Sequence, residues 1–115
     1  MVMQTIMIDG LKFQGPYIIG KEEIPQVRGI ALAITEAGEG FKIMSIVQGD
    51  DLRSVVMNSP KMDCWKKHAY HGNIDIYVCE TDMSPEKREE FRINGITKRK
   101  DVIFCDEPPV IVDDW

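Results

Sequence analysis

The segment from Ile30 to Val47 constrains the fold of this chain most tightly. Ile30, Leu32 and Ile34 alternate with Ala31, Ala33 and Thr35, and an alternation of period two describes a strand with distinct faces. Ala37-Gly38-Glu39-Gly40 supplies turn chemistry, and Phe41 to Val47 returns as the second strand of a hairpin. The small side chains Ala31 and Ala33 leave room on one face for a helix to pack close.

The flanking sequence supplies further elements. Thr5 to Phe13 alternates around Gly10 and predicts a strand or a bent pair of strands, ended by Gly15-Pro16. The first residues, Met1 to Asp9, lack a basic start and a long apolar stretch, so they read as a strand rather than a secretory signal. Gly49-Asp50-Asp51 can cap a short helix whose Leu52, Val55 and Val56 share a face, with Asn58-Ser59-Pro60 as its stop. A second short helix is expected over 60–69, with Trp65 as its main core residue. Asn73 to Cys79 alternates Ile74, Ile76 and Val78 with Asp75, Tyr77 and Cys79, which predicts a strand with one buried face. Ser84-Pro85-Glu86 is a helix start, and the helix is expected to reach about Asn94, with Gly95 as a left-handed terminator. The order β-β-β-α-α-β-α predicts a single α+β domain over 1–115. One core is expected: Ile30, Leu32, Ile34, Ile43, Ile74, Ile76 and Val78 on the sheet, against Leu52, Val56, Trp65 and Phe91. Residues 101–115 form an acidic extended tail. Within it, Val102-Ile103-Phe104 and Val110-Ile111-Val112 are candidate edge strands, expected to dock on the chain's own domain.

Charge bears on function. Fourteen Lys and Arg against 19 Asp and Glu give a net charge of −5, and the resulting field opposes nucleic acid, whose binders depend on cations that displace phosphate counterions. The clusters Lys66-Lys67-His68 and Lys98-Arg99-Lys100 read as solvated faces. A protein with a basic surface is the expected partner, and no run of about 20 apolar residues offers a membrane span.

Cys64, Cys79 and Cys105 are odd in number and widely spaced, which predicts reduced thiols and a cytoplasmic location. Cys64, His68, His71 and Cys79 form a weak zinc-ligand candidate without a strong spacing signature. No cofactor is expected.

Several segments together carry a family resemblance. Arg28-Gly29-Ile30-Ala31, the turn at 37–40, Phe41 to Val47 and Asp51-Leu52-Arg53 are joined by Phe13-Gln14-Gly15-Pro16-Tyr17 upstream and by Asp63-Cys64-Trp65-Lys66-Lys67-His68 downstream. Together they resemble the GIY-YIG nuclease-like superfamily, over roughly 13–96. The resemblance implies a small antiparallel sheet of three or more strands flanked by helices. It also implies a metal-dependent cleavage of phosphodiesters that uses two tyrosines, an arginine, a histidine or tyrosine, and a metal-binding glutamate. Aligned onto this chain, the tyrosines fall on Ala31 and Ser45, and the glycine of the second motif falls on Val47. The arginine falls on Val55, a further polar position near Ser59, and the glutamate on Arg92 or, with a shift, Glu89 or Glu90. A methyl group, a short hydroxyl and a guanidinium at these places predict a catalytically inactive domain that acts as a binding or regulatory module. The alternative is a divalent-metal-dependent DNA endonuclease with relocated groups, Tyr17, Arg53 and Glu89 or Glu90.

Overall fold

The structure, a computed structural model, describes residues 3–37, 40–69 and 72–106. Eight elements follow in the order β1 (Gln4–Ile8), β2 (Leu11–Ile18), β3 (Gly29–Ala37), β4 (Gly40–Gly49), α1 (Leu52–Met57), α2 (Met62–His68), β5 (Asp75–Glu80) and α3 (Pro85–Lys98). The strands form one antiparallel sheet in the order β1-β2-β5-β3-β4. The fold is α+β, as the sequence predicts, with three helices on a five-stranded sheet.

The N-terminal segment is a pair of strands. Ile8 pairs with Leu11, and Asp9 and Gly10 make the turn with φ of 52° and 87°. Asp-Gly is suited to this positive-φ hairpin turn, whose twist matches that of the strands. Gly15-Pro16 does not end β2, contrary to expectation. The ladder to β5 shifts register between Gln14 and Tyr17, and a proline without an N–H is tolerated at such an irregularity. Gly29 opens β3 where an added Cβ would lie 2.0 Å from the Cys79 carbonyl oxygen, so only a bare backbone lets β3 approach β5 there.

Two cores replace the single one expected, because the sheet is covered on both faces. On one face Ala31, Ala33, Ile76 and Val78 pack with Leu52, Val56 and Trp65 of α1 and α2. On the other, Ile30, Leu32, Ile34, Ile46 and Tyr77 pack with Ile96 of α3 and, at the margin, Phe91. β5 is a central strand, and its Asp75 and Tyr77 are buried along with Ile76 and Val78. The alternation of polar and apolar residues therefore does not mark a solvent face.

The helix starts agree with the sequence. Asp51 caps α1 by accepting from the Ser54 amide at 3.3 Å, and Ser84 caps α3 by accepting from the Lys87 amide at 3.3 Å. The end of α3 differs. Gly95 is helical and buried, and α3 continues to Lys98. A Cβ at Gly95 would stand 2.6 Å from Ile46 Cδ1, so this glycine lets α3 lie directly on β4. Burial of Ile96 then favours the additional turn.

Residues 101–106 form a strap instead of the expected edge strand. The Val102 and Ile103 amides both donate to the Arg99 carbonyl at 2.9 Å, turning the chain back after α3. Ile103 is buried in the α3-side core and Cys105 in the α1–α2-side core, so the strap crosses the outer edge of β4. This part of the tail docks on its own domain; Val110-Ile111-Val112 lies outside the described residues. Cys64 and Cys105 are joined in a disulfide, at a Cα–Cα distance of 5.8 Å. That corrects the expectation of three reduced thiols: the strap returns Cys105 to α2 across 41 residues, a proximity that spacing does not reveal.

Candidate functional site

β4, α1, the turn after it, α3 and the strap line an open hollow of about 270 Å³. Four of the six aligned motif positions, Val47, Val55, Ser59 and Arg92, line it. The other two are adjacent. Ala31 pairs with Val47 across β3 and β4 and is fully buried. Ser45 is joined by a hydrogen bond to Asp106, itself a wall of the hollow.

A β-bulge positions Ser45. The β3–β4 register passes from Ala33↔Ser45 to Ile34↔Ile43, so Met44 is the extra residue and both Met44 and Ser45 lie on the Trp65 side. There the Ser45 hydroxyl accepts from Trp65 Nε1 at 2.8 Å and donates to Asp106 Oδ1 at 2.8 Å. The second carboxylate oxygen, Oδ2, accepts the Ile46 amide at 2.9 Å. Ser45 is wholly buried and Asp106 is 9% exposed, and in such surroundings each polar group needs its partner.

Arg92 stands on the opposite wall. Its Nε and Nη2 donate to Glu89 Oε1 and Oε2 at 2.7 and 2.8 Å, and Gln48 Nε2 adds a weaker bond to the same carboxylate at 3.3 Å. The Arg92 hydrogen bonds hold the Glu89 carboxyl below its ordinary pKa against the opposing effect of burial. The same bonds raise Arg92. The guanidinium and the carboxylate are therefore committed to each other. Deeper in the structure, buried Arg88 donates to the Gly49 carbonyl at 2.7 Å and to Asp50 Oδ1 at 2.6 Å, anchoring the β4–α1 junction to α3.

Beside the hollow lies a buried hydroxyl with two hydrogen bonds where the resemblance places a phenol, and in its wall a paired cation where the resemblance places a metal-binding acid. Among the described residues no group of three or more His, Cys, Asp or Glu gathers as a metal site. The zinc-ligand set does not assemble: Cys64 is spent in the disulfide, His68 stacks on Phe104, and the Cys79 thiol sits on β5, pushed up in pKa by burial. His71 lies outside the described residues.

The relocated catalytic set is dispersed. Tyr17 lines a hollow with Gln14, Cys79 and Glu80 at the β1–β2 end of the sheet. Arg53 lines another with Glu23 and Ile24, donating from Nε to the Ile24 carbonyl at 2.7 Å and pairing with Glu23 at 3.5 Å. Glu89 and Glu90 face a third on α3, with Pro85 and Ile93. None of these three hollows contains all of the set.

Sequence reasoning missed Asp106 and the polar role of Trp65. Asp106 reads from the sequence as one of several tail acids, and no signal there sets it apart, because its contact with Ser45 spans 61 residues. Compared with protein-family models, curated proteins and solved structures, the chain matches none.

Proposed function

We propose that this chain is a catalytically inactive, GIY-YIG-like binding module whose partner is a protein. The observation that carries this reading is that the polar groups in and beside the hollow where the aligned motif positions gather are engaged with one another. Ser45 is held by Trp65 and Asp106, and Arg92 by Glu89. The Ser45 proton is already given to Asp106, and Arg92 already turns its Nε and Nη2 donors to Glu89, which disfavours the one as a nucleophile and the other as a phosphate clamp.

The basic clusters fit the same reading. Lys98 and Arg99 are engaged by Asp9 at 3.2 and 2.7 Å, while Lys66, Lys67 and Lys100 are exposed. The proposed compartment is the cytoplasm, where a disulfide is usually transient and redox-sensing. No helix among the described residues is long and apolar enough to cross a membrane.

Titration of labelled duplex DNA at physiological ionic strength tests the partner class. Negligible binding is expected. Submicromolar affinity, lost when Lys66, Lys67, Lys98, Arg99 and Lys100 are neutralised, would overturn the assignment, because phosphate contacts would then have outweighed the acidic whole.

A further inference from the structure

β4 is an edge strand: β3 pairs with one side of it, and the strap crosses the other. An exposed edge presents unpaired N–H and C=O groups that invite another chain. Here the strap meets those needs. The Cys105 amide donates to the Met44 carbonyl at 2.9 Å, and the next residue, Asp106, places its carboxylate on the Ile46 amide and the Ser45 hydroxyl. Phe104 stacks on His68 with centroids 5.2 Å apart, and Lys42 Nζ lies 5.1 Å from the Phe104 ring centroid. Ile103 and Cys105 go to opposite faces of the sheet.

A main-chain bond to an edge strand, with side chains seated on either side, is the way an extended peptide is recognised by strand addition. The strap shows what fits: a short segment whose amide reaches the Met44 carbonyl and whose following side chain is a carboxylate. Among the described residues the strap has one main-chain bond to β4, so the Cys64–Cys105 bond is a major part of its hold.

We propose that the outer edge of β4 around Met44–Ile46 is a docking site for a short carboxylate-bearing segment of a protein partner, and that the chain's own strap occupies it until Cys64–Cys105 is reduced. This deepens the binding-module reading and rests on it. The reductant is a dithiol. One of its thiolates attacks the half-exposed Cys64 sulfur, the Cys64–Cys105 bond breaks, and Cys105 leaves as a thiolate that takes up a proton. The second dithiol sulfur then attacks the mixed disulfide and releases Cys64, which is also protonated. Two electrons and two protons pass to the protein, and the reductant leaves as its disulfide.

Amide hydrogen exchange on the full chain, oxidised and reduced, tests the latch. Reduction is expected to speed exchange at Ile46 and Cys105 by at least about tenfold, while Leu32 and Ile76 in the central strands hold their rates. A peptide Asp-Val-Ile-Phe-Ser-Asp, added to the reduced Asp106→Asn chain, is expected to slow Ile46 again, and the same peptide ending in Asn is expected to leave it fast. The proposal is overturned by unchanged protection of Ile46 after reduction, or by acceleration throughout both cores, which would make the disulfide a staple of the whole fold. It is equally overturned if the two peptides act alike, or if reduction alone makes two copies pair and protect Ile46. None of these readouts depends on cleavage or DNA affinity, so the latch and the binding-module reading can fail separately.

Discussion

Trp65 and Asp75 show how much single buried side chains decide in this molecule. Trp65 is fully buried and donates to Ser45, so Trp65→Ala removes both the indole's packing and a buried hydrogen bond. Denaturant unfolding is expected to register a loss of about 3–5 kcal/mol. A loss below about 1 kcal/mol would contradict the placement of Trp65 in the core. Asp75 acts in the opposite sense. Burial raises its carboxyl pKa, reinforced by Glu36 and Glu22 and opposed by Lys21. Because the folded value lies above the unfolded one, this carboxyl favours folding most at pH below the unfolded value of about 3.9, and that support is lost as pH rises through the folded value. Asp75→Asn is therefore expected to be more stable than the parent at pH 7, with the gap closing near pH 3. Equal unfolding midpoints at both pH values would show that Asp75 carries no desolvation cost.

At the scale of elements, α3 is fixed by two contacts that the sequence does not display. Asp9, in the β1–β2 turn, receives Arg99 from beyond the helix at 2.7 and 2.8 Å. The Arg99 hydrogen bonds lower the Asp9 pKa, against burial and with help from Lys98. A lowered folded pKa gives stability that is present above the unfolded value and lost as pH falls through the folded one. Asp9→Asn, a residue that tolerates the positive φ there, is expected to cost about 1 kcal/mol at pH 7 and little at pH 2. A cost that persists unchanged at pH 2 would rule out the ion pair as its source. The second contact is Gly95 on Ile46. Gly95→Ala brings helix propensity but forces a methyl against Ile46 Cδ1, so it is expected to destabilise. Ile46→Val removes that Cδ1, so the double variant should lose less than the sum of the singles; strict additivity would refute the contact. These cases mark the limit of legibility. Hairpins and helix starts were readable because Asp9-Gly10, Asp51 and Ser84 act on their immediate neighbours. The end of α3 was not, because Gly95 serves a strand about fifty residues away in sequence rather than its own helix.

For the molecule as a whole, strand periodicity reveals which residues are apolar but not how many layers cover them, so the two-faced sheet was invisible in β5. The site was half legible. Val47, Val55, Ser59 and Arg92 were named from the sequence and line one hollow. Asp106 and the Cys64–Cys105 bond were not, since contacts across 60 or 61 residues and across 41 leave no periodic trace. What the hollow and its surroundings contain is a set of groups engaged with one another, in keeping with the proposed module that binds and does not cleave. Incubation of the oxidised and the reduced chain with branched, single-stranded and duplex DNA, with Mg²⁺ or Mn²⁺, tests it most directly. No cleavage above background is expected in either state. Cleavage abolished by Arg53→Ala or Glu90→Ala would contradict it, because it would identify a working catalytic site.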